Sequence, residues 1–326
     1  MTKVAVLGAG AWGTAISCVL AARLEVSLWA RDAAQAATIG STRRNERYLP
    51  GFELPATVRV SADLSEATRD ARLLLAATPV AGLRSLLGAL GAPAPLVWLC
   101  KGFEEGTGEL PHQIARAALG AKGRFGALSG PSFAEEVARG LPCALTLASH
   151  DADFARAAAA TLHGGRMRVY YSTDLVGVEI GGAVKNVMAI AAGISDGMGL
   201  GLNARAALIT RGLAEITRLG VALGGAPETF MGLAGAGDLI LTATGDLSRN
   251  RRVGLELARG RSLNDIVASL GHVAEGVHSA REAAKLAAQH RVEMPVSEAV
   301  WAVLDARITP AAALERLLAR ESKMER

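Results

Sequence analysis

The sequence predicts an α/β chain in two parts: a mainly parallel sheet with helices on both faces over residues 1–172, and an all-α part over 173–326. Three observations carry this reading. Short apolar runs alternate with helical stretches through the first half, the pattern of strands joined by crossover helices. From Asp174 onward nearly every segment has helical periodicity and strand signals almost vanish. The 37 glycines and 4% aromatics ask for close packing of small residues, which suits helices on a sheet better than an all-β fold.

The elements follow in order. Lys3–Leu7 reads as a strand that ends in Gly8-Ala9-Gly10-Ala11-Trp12-Gly13, with an apolar helical stretch over 14–23 directly after it. Further strands are expected at 26–30, 73–77, 96–99, 126–129, 144–148 and 166–171. Beyond the boundary at 172, the helices expected are 174–195, 204–223, 249–258, 263–270, 277–290, 296–305 and 311–320, set apart by Gly and Pro. No fixed-period repeat or low-complexity tract stands out beyond an alanine bias.

Length and composition exclude several classes. A chain of 326 residues, 50% hydrophobic and 20% charged, supports two packed cores and argues against dominant disorder. Its 35 Lys+Arg against 31 Asp+Glu leave +4, too weak a bias for a nucleic-acid binder. Cys18, Cys100 and Cys143 lie far apart, so neither a disulfide framework nor a metal site is expected and a reducing cytoplasm fits best. The N-terminus runs at once into a strand-like stretch without a signal peptide's apolar core. The longest apolar runs, 73–77 and 187–194, fall well short of the ~18 residues a membrane span needs, so no membrane insertion is expected.

Gly8, Gly10 and Gly13 have the spacing in which one glycine makes a turn, the next admits a pyrophosphate, and the third lets helix and strand touch. The helix start then faces the phosphate charge. Placed after a strand and before a helix, the motif predicts a Rossmann-like dinucleotide-binding domain. The second strand runs into Arg31, with Asp32 next, where an acid usually meets the ribose of NAD. A guanidinium there tilts the cofactor toward NADP over NAD. Arg43, Arg44 and Arg47 either add to that pocket or form a solvated basic loop.

Ser129-Gly130-Pro131-Ser132-Phe133-Ala134 follows a strand, as does Lys101-Gly102, so both stand where strand ends face ligands; a plain Ser-Gly-Pro helix start is the alternative for the first. Lys185 sits inside Gly181-Gly182-Ala183-Val184-Lys185-Asn186-Val187-Met188, among apolar or tiny neighbours. Gly177, Gly181, Lys185 and Ala189 share one helical stripe, on which a ligand or another backbone could lie. Burial lowers a lysine's pKa and makes it a competent acid or base, the alternative being a packing lysine that reaches the surface. In Gly235-Ala236-Gly237-Asp238-Leu239 the acid alone reads as a helix cap. The run Gly245-Asp246-Leu247-Ser248-Arg249-Asn250-Arg251-Arg252 joins an N-cap serine, donors and a helix start, a good site for an isolated phosphate.

With these motifs in order, together with Asn45-Glu46-Arg47-Tyr48-Leu49-Pro50-Gly51, the sequence closely resembles the bacterial NAD(P)-dependent glycerol-3-phosphate dehydrogenases over nearly its whole length. The resemblance implies reversible reduction of dihydroxyacetone phosphate to sn-glycerol 3-phosphate for phospholipid synthesis. It implies Lys185 as acid/base, and the chemistry of carbonyl reduction then leads us to expect Asp238 to orient Lys185 or to bond a substrate hydroxyl. Lys101, Gly130, Ser132, Asp238, Ser248, Arg249 and Asn250 match substrate positions. Ala11, Trp12, Arg31, Lys101, Ala134, Arg249, Val273 and Glu275 match cofactor positions, and the double match of Arg249 implies that it closes on both ligands. A homodimer through the helical half is the assembly the resemblance favours.

Three departures from the family pattern stand out. Ala11 replaces a frequent serine in the glycine loop, residues 21–26 lack the usual Gly-His turn, and Val80 replaces the serine after Pro79. A two-domain dehydrogenase acting on a 3-hydroxy acid or a ketopantoate-like substrate is the competing enzyme, and the phosphate site argues against it. A nucleotide-sensing protein without turnover, or a scaffold, would have no need of Lys185, Asp238 and Arg249 together.

Overall fold

The computed structural model describes residues 1–90, 94–120, 123–270 and 274–320. The chain forms two compact units, Met1–Glu179 and Ile180–Arg326, the division falling inside a long helix.

The first unit runs β1 (Lys3–Leu7), α1 (Ala11–Leu20), β2 (Glu25–Trp29), α2 (Ala33–Thr42), β3 (Arg44–Asn45), β4 (Leu49–Glu53), β5 (Arg59–Ser61), α3 (Leu64–Thr68), β6 (Leu73–Ala76), α4 (Val80–Ala89) and β7 (Leu96–Trp98). It continues through α5 (Pro111–Leu119), β8 (Phe125–Ser129), α6 (Ala134–Ala138), β9 (Cys143–Ala148), α7 (Ala152–Leu162) and β10 (Met167–Ser172) into α8 (Leu175–Gly197). Eight strands form one sheet in the order β10-β9-β8-β7-β6-β1-β2-β5, while β3 and β4 make a separate hairpin. Leu73–Ala76 and Leu96–Trp98 are buried on both faces, as strands covered by helices must be.

The expected mainly parallel sheet is present, with one reversal. β8 pairs antiparallel with β9, and β9 pairs parallel with β10, so the last two strands oppose the other six. Gly126 permits the close approach of β9, because a Cβ there would lie 2.4 Å from the carbonyl oxygen of Ala148. The order places β1 between β2 and β6, the point where the chain switches direction across the sheet and ligands gather beyond the strand ends.

The second unit is helical: the rest of α8, then α9 (Gly201–Ala222), α10 (Pro227–Met231), a π turn (Leu233–Gly237), α11 (Asp238–Thr244), α12 (Arg249–Ala258), α13 (Leu263–Leu270), α14 (Glu275–Gln289), α15 (Pro295–Leu304) and α16 (Pro310–Leu318). Small residues set its packing. Gly220 on α9 receives the Phe230 ring, whose Cζ lies 1.9 Å from where a Cβ would stand, and Gly181 on α8 meets the Ala234 carbonyl at 2.6 Å on the same measure. The stripe on α8 therefore holds another backbone at Gly181, whereas Gly177 packs on the Asp174 carboxylate.

Contrary to the reading from short apolar runs, α8 is by length and composition apolar enough to cross a membrane, yet 94% of its most apolar window is buried within the protein. Its apolarity is thus that of a core helix, hydrophobic on every side because protein surrounds it. Near its start the Glu179 carboxylate accepts the His112 backbone N–H at 2.9 Å and contacts the His112 ring, fixing the first turn of α5.

Candidate active site

In the first unit, Gly8 holds φ +128°, and a Cβ there would stand 2.8 Å from the Ala77 carbonyl oxygen. A Cβ on Gly13 would meet the Gly8 carbonyl oxygen at 1.9 Å, so the turn and the helix touch only because both residues are glycine. Among the described residues no atom lies within 4 Å of the Cβ position of Gly10, the N-cap of α1, which leaves open the approach to the amides of the first turn. Ala11, Trp12 and Gly13 begin that turn, where N–H groups lack partners inside the helix.

Side chains from elsewhere hold this loop. Asn45 Nδ2 donates to the Ala9 carbonyl at 2.9 Å and to Thr14 Oγ1 at 2.7 Å, and Gln35 Nε2 donates to Ala9 O at 2.8 Å. Trp12 Nε1 reaches Ser132 O at 2.9 Å. The motif around Asn45 was visible in the sequence, but its role as a brace for the glycine loop was not.

β1 and β2 pair in the parallel register Lys3↔Glu25 to Leu7↔Trp29, and Gly8 N–H donates to Trp29 O at 2.9 Å. Arg31 therefore emerges beside the glycine loop and is exposed. Asp32 Oδ1 caps α2, accepting from Ala34 N at 2.8 Å and Gln35 N at 3.3 Å. Arg43 belongs to neither alternative offered for the basic cluster: its guanidinium is tied to the carbonyls of Pro55 and Val58, while Arg44 pairs with Glu46 and Arg47 lies over the Tyr48 ring.

Lys101, Gly130 and Ser132 come together at the ends of β7 and β8. Lys101 Nζ donates to Gly130 O at 3.3 Å and Ser132 Oγ donates to the same oxygen at 3.0 Å. Gly130, at φ +135°, packs its α-carbon side against Leu145, and Ala134 opens α6.

In the second unit, Lys185 is 6% exposed on α8. Its Nζ donates to Asp238 Oδ1 at 2.5 Å and to Thr242 Oγ1 at 2.9 Å, and Thr242 Oγ1 in turn donates to the Asp238 carbonyl at 2.6 Å. Asp238, 1% exposed, follows the π turn, so α11 starts without needing its side chain as a cap; the capping reading of this acid is corrected. Thr242 was missed in the sequence, where its only signal is the i, i+4 spacing from Asp238 on one helix face.

Ser248 is the N-cap of α12, accepting Arg251 N–H at 3.2 Å, and Arg249 is the exposed first residue of that helix. Asn250 is buried: its Nδ2 donates to Asn186 Oδ1 at 2.9 Å and its Oδ1 accepts Gly276 N–H at 3.0 Å. Asn250 thereby joins the residue next to Lys185 to the start of α14, where Glu275 stands. Val273 lies outside the described residues.

The NAD-dependent glycerol-3-phosphate dehydrogenase N-terminus family matches residues 3–155, and its C-terminus family matches residues 174–315. Relatives named glycerol-3-phosphate dehydrogenase [NAD(P)+] include those of Aromatoleum aromaticum, 60% identical over 99% of this chain and 100% of the relative, and Dechloromonas aromatica, 59% identical over 99% of each. A crystal structure of glycerol-3-phosphate dehydrogenase from Coxiella burnetii has a TM-score of 0.93 at 39% identity, covering 98% of this chain and 99% of that one. A PanE/ApbA family ketopantoate reductase from Ralstonia eutropha, at TM-score 0.57 and 19% identity over 96% and 100%, shares the fold alone. With both halves matched and relatives at this identity spanning the chain, it belongs to the NAD-dependent glycerol-3-phosphate dehydrogenases, a family of NAD(P) oxidoreductases.

Proposed function

We propose that this chain reversibly reduces dihydroxyacetone phosphate to sn-glycerol 3-phosphate, with Lys185 as the acid/base and the product serving phospholipid synthesis. The observation that carries the reading is a lysine ammonium buried on an apolar helix and held by Asp238 Oδ1 and Thr242 Oγ1. The glycine loop of the first unit fits a dinucleotide, because the Cβ position of Gly10 is open in front of the first-turn amides of α1. When bound, the nicotinamide cofactor supplies the hydride for reduction and accepts it in the reverse direction.

Lys185 Nζ delivers the proton to the ketone oxygen as negative charge develops there, and its own charge stabilises that oxygen. Asp238 keeps the ammonium in place and offsets the cost of burying it. Arg249 and the first amides of α12 receive the phosphate, which a helix start favours. Lys101, gathered with Ser132 on the Gly130 carbonyl, adds a cation for substrate or cofactor oxygens.

Arg31 favours NADPH over NADH, since it is exposed beside the glycine loop while Asp32 caps α2. A cytoplasmic enzyme that assembles as a homodimer through its helical unit completes the proposal. The test is initial-rate oxidation of NADPH and of NADH with dihydroxyacetone phosphate, and with unphosphorylated dihydroxyacetone as control. Turnover that depends on the phosphate and is faster with NADPH is expected. A folded protein that binds the cofactor but turns over neither ketone would overturn the assigned reaction.

A further inference from the structure

The run Ser248-Arg249-Asn250-Arg251-Arg252 holds three arginines, and the structure gives them different work. Arg249 is exposed, but the Arg251 side chain is only 11% exposed and is spent on carboxylates. Its Nε and Nη2 both donate to Asp196 Oδ2, at 2.9 and 2.8 Å, and its Nη1 donates to Asp246 Oδ1 at 2.9 Å. Asp196 lies in the last turn of α8, is 13% exposed, and also accepts Arg205 Nη1 from α9 at 3.0 Å. Asp246 is 96% exposed, so its pair with Arg251 adds little.

The seam beneath this pair is smooth. A Cβ on Gly193 of α8 would stand 2.0 Å from the Arg251 carbonyl oxygen, one on Gly254 of α12 would stand 2.1 Å from the Ile190 carbonyl oxygen, and one on Gly197 would meet the Ala258 Cβ at 2.6 Å. Glycines bring the two backbones together at these points and offer no side chain to interlock there. Polar contacts also join the two helices: Asn186 with Asn250 near Lys185, and Asp196 with Arg251 a few turns further along α8. Fixing register is the best-attested use of a buried polar pair.

We propose that the Asp196–Arg251 pair is a specificity-determining positioning device that pins the start of α12 on α8 and thereby sets the preference for a phosphorylated over an unphosphorylated ketone. The proposal rests on the reading that Arg249 and the start of α12 hold the phosphate. With the pair cut, Lys185, Asp238 and Thr242 stay where α8 and α11 put them, while Arg249 is held only by the neighbouring Asn250–Asn186 tie and its distance from the reacting carbonyl is less tightly set. The damage then falls mainly on the phosphate end of the substrate.

The test compares kcat/KM for dihydroxyacetone phosphate and for dihydroxyacetone in the wild type, Asp196→Asn, Arg251→Met, Arg251→Lys and Asp246→Ala, with cofactor Kd measured alongside. Asp196→Asn and Arg251→Met are expected to lower kcat/KM for the phosphorylated ketone by about 10–100-fold, mainly through KM, the scale of one lost charge-assisted hydrogen bond. Dihydroxyacetone turnover should stay within about twofold of wild type, and any rise in cofactor Kd should be smaller than the loss with the phosphorylated ketone, because Arg249 is one of several cofactor positions. Arg251→Lys, which keeps a cation facing Asp196, should recover part of the loss, and Asp246→Ala should change nothing.

Should Arg251→Met not fold, the nearly isosteric Asp196→Asn decides by the same readings. Equal losses with both ketones, or an unchanged ratio, would overturn the proposal while leaving the phosphate reading intact. A wild type that does not discriminate between the two ketones would overturn the phosphate reading, and this proposal with it.

Discussion

A cation inside an apolar helix survives only with partners, and Lys185 has an acid whose side chain is 2% exposed. Asp238→Ala would strand that charge, so a loss of roughly 3–5 kcal/mol in unfolding free energy is expected by denaturant titration, besides lost turnover. The glycine loop separates two roles within one motif. Gly10→Ala should fold with a thermal midpoint close to wild type yet bind NADPH more weakly, because its methyl meets no atom of the described residues within 4 Å but enters the approach to the α1 amides. Gly13→Ala should lower the midpoint itself, since its methyl would stand 1.9 Å from Gly8 O. Arg31→Asp is expected to raise the NADPH Kd far more than the NADH Kd, and an unchanged ratio would move 2′-phosphate recognition to another residue. Legibility at this scale followed chemistry that a single residue type implies. Lys185 stood out among glycines and alanines, whereas Thr242 and Asn45 are ordinary polar residues whose partners, Lys185 and Ala9, lie far along the chain.

At the scale of elements, periodicity located many segments well: Lys3–Leu7, Arg249–Ala258 and Leu263–Leu270 lie where the pattern put them. It did not reveal the β3–β4 hairpin, where Pro50 and Gly51 sit in the longer strand and the other has two residues, nor the direction of β9 and β10, because alternation carries no direction. Helix ends are also held by residues remote in sequence. Glu215 on α9 accepts Val296 N–H at 2.7 Å, Ser297 N–H at 3.1 Å and Ser297 Oγ–H at 3.1 Å, capping the start of α15. Burial pushes its carboxyl up to about 7 against the opposing pull of those hydrogen bonds. Because the folded value lies above the usual carboxylate value, this group's contribution is full at low pH and declines as pH rises through 4.5 to about 7, by up to about 3 kcal/mol. The midpoint of wild type minus that of Glu215→Gln should therefore be larger at pH 5 than at pH 8. A difference that does not change with pH would show that Glu215 is ionised throughout.

For the whole molecule, a mainly parallel sheet and a set of helices were legible because the two halves differ in period. What the sequence hid was how close the helices come: α8 is apolar all round because it is buried, and its glycines serve contacts with Ala234 and Arg251 that only coordinates reveal. The central claim is that this buried helix presents a proton donor to the ketone. The most direct test is turnover of dihydroxyacetone phosphate by Lys185→Met, beside its NADPH Kd and its thermal midpoint. A fall in kcat of about 10²–10⁴-fold with Kd within a few-fold of wild type is the predicted result. Turnover within a few-fold of wild type in the folded variant would contradict it, and would place the proton on another group.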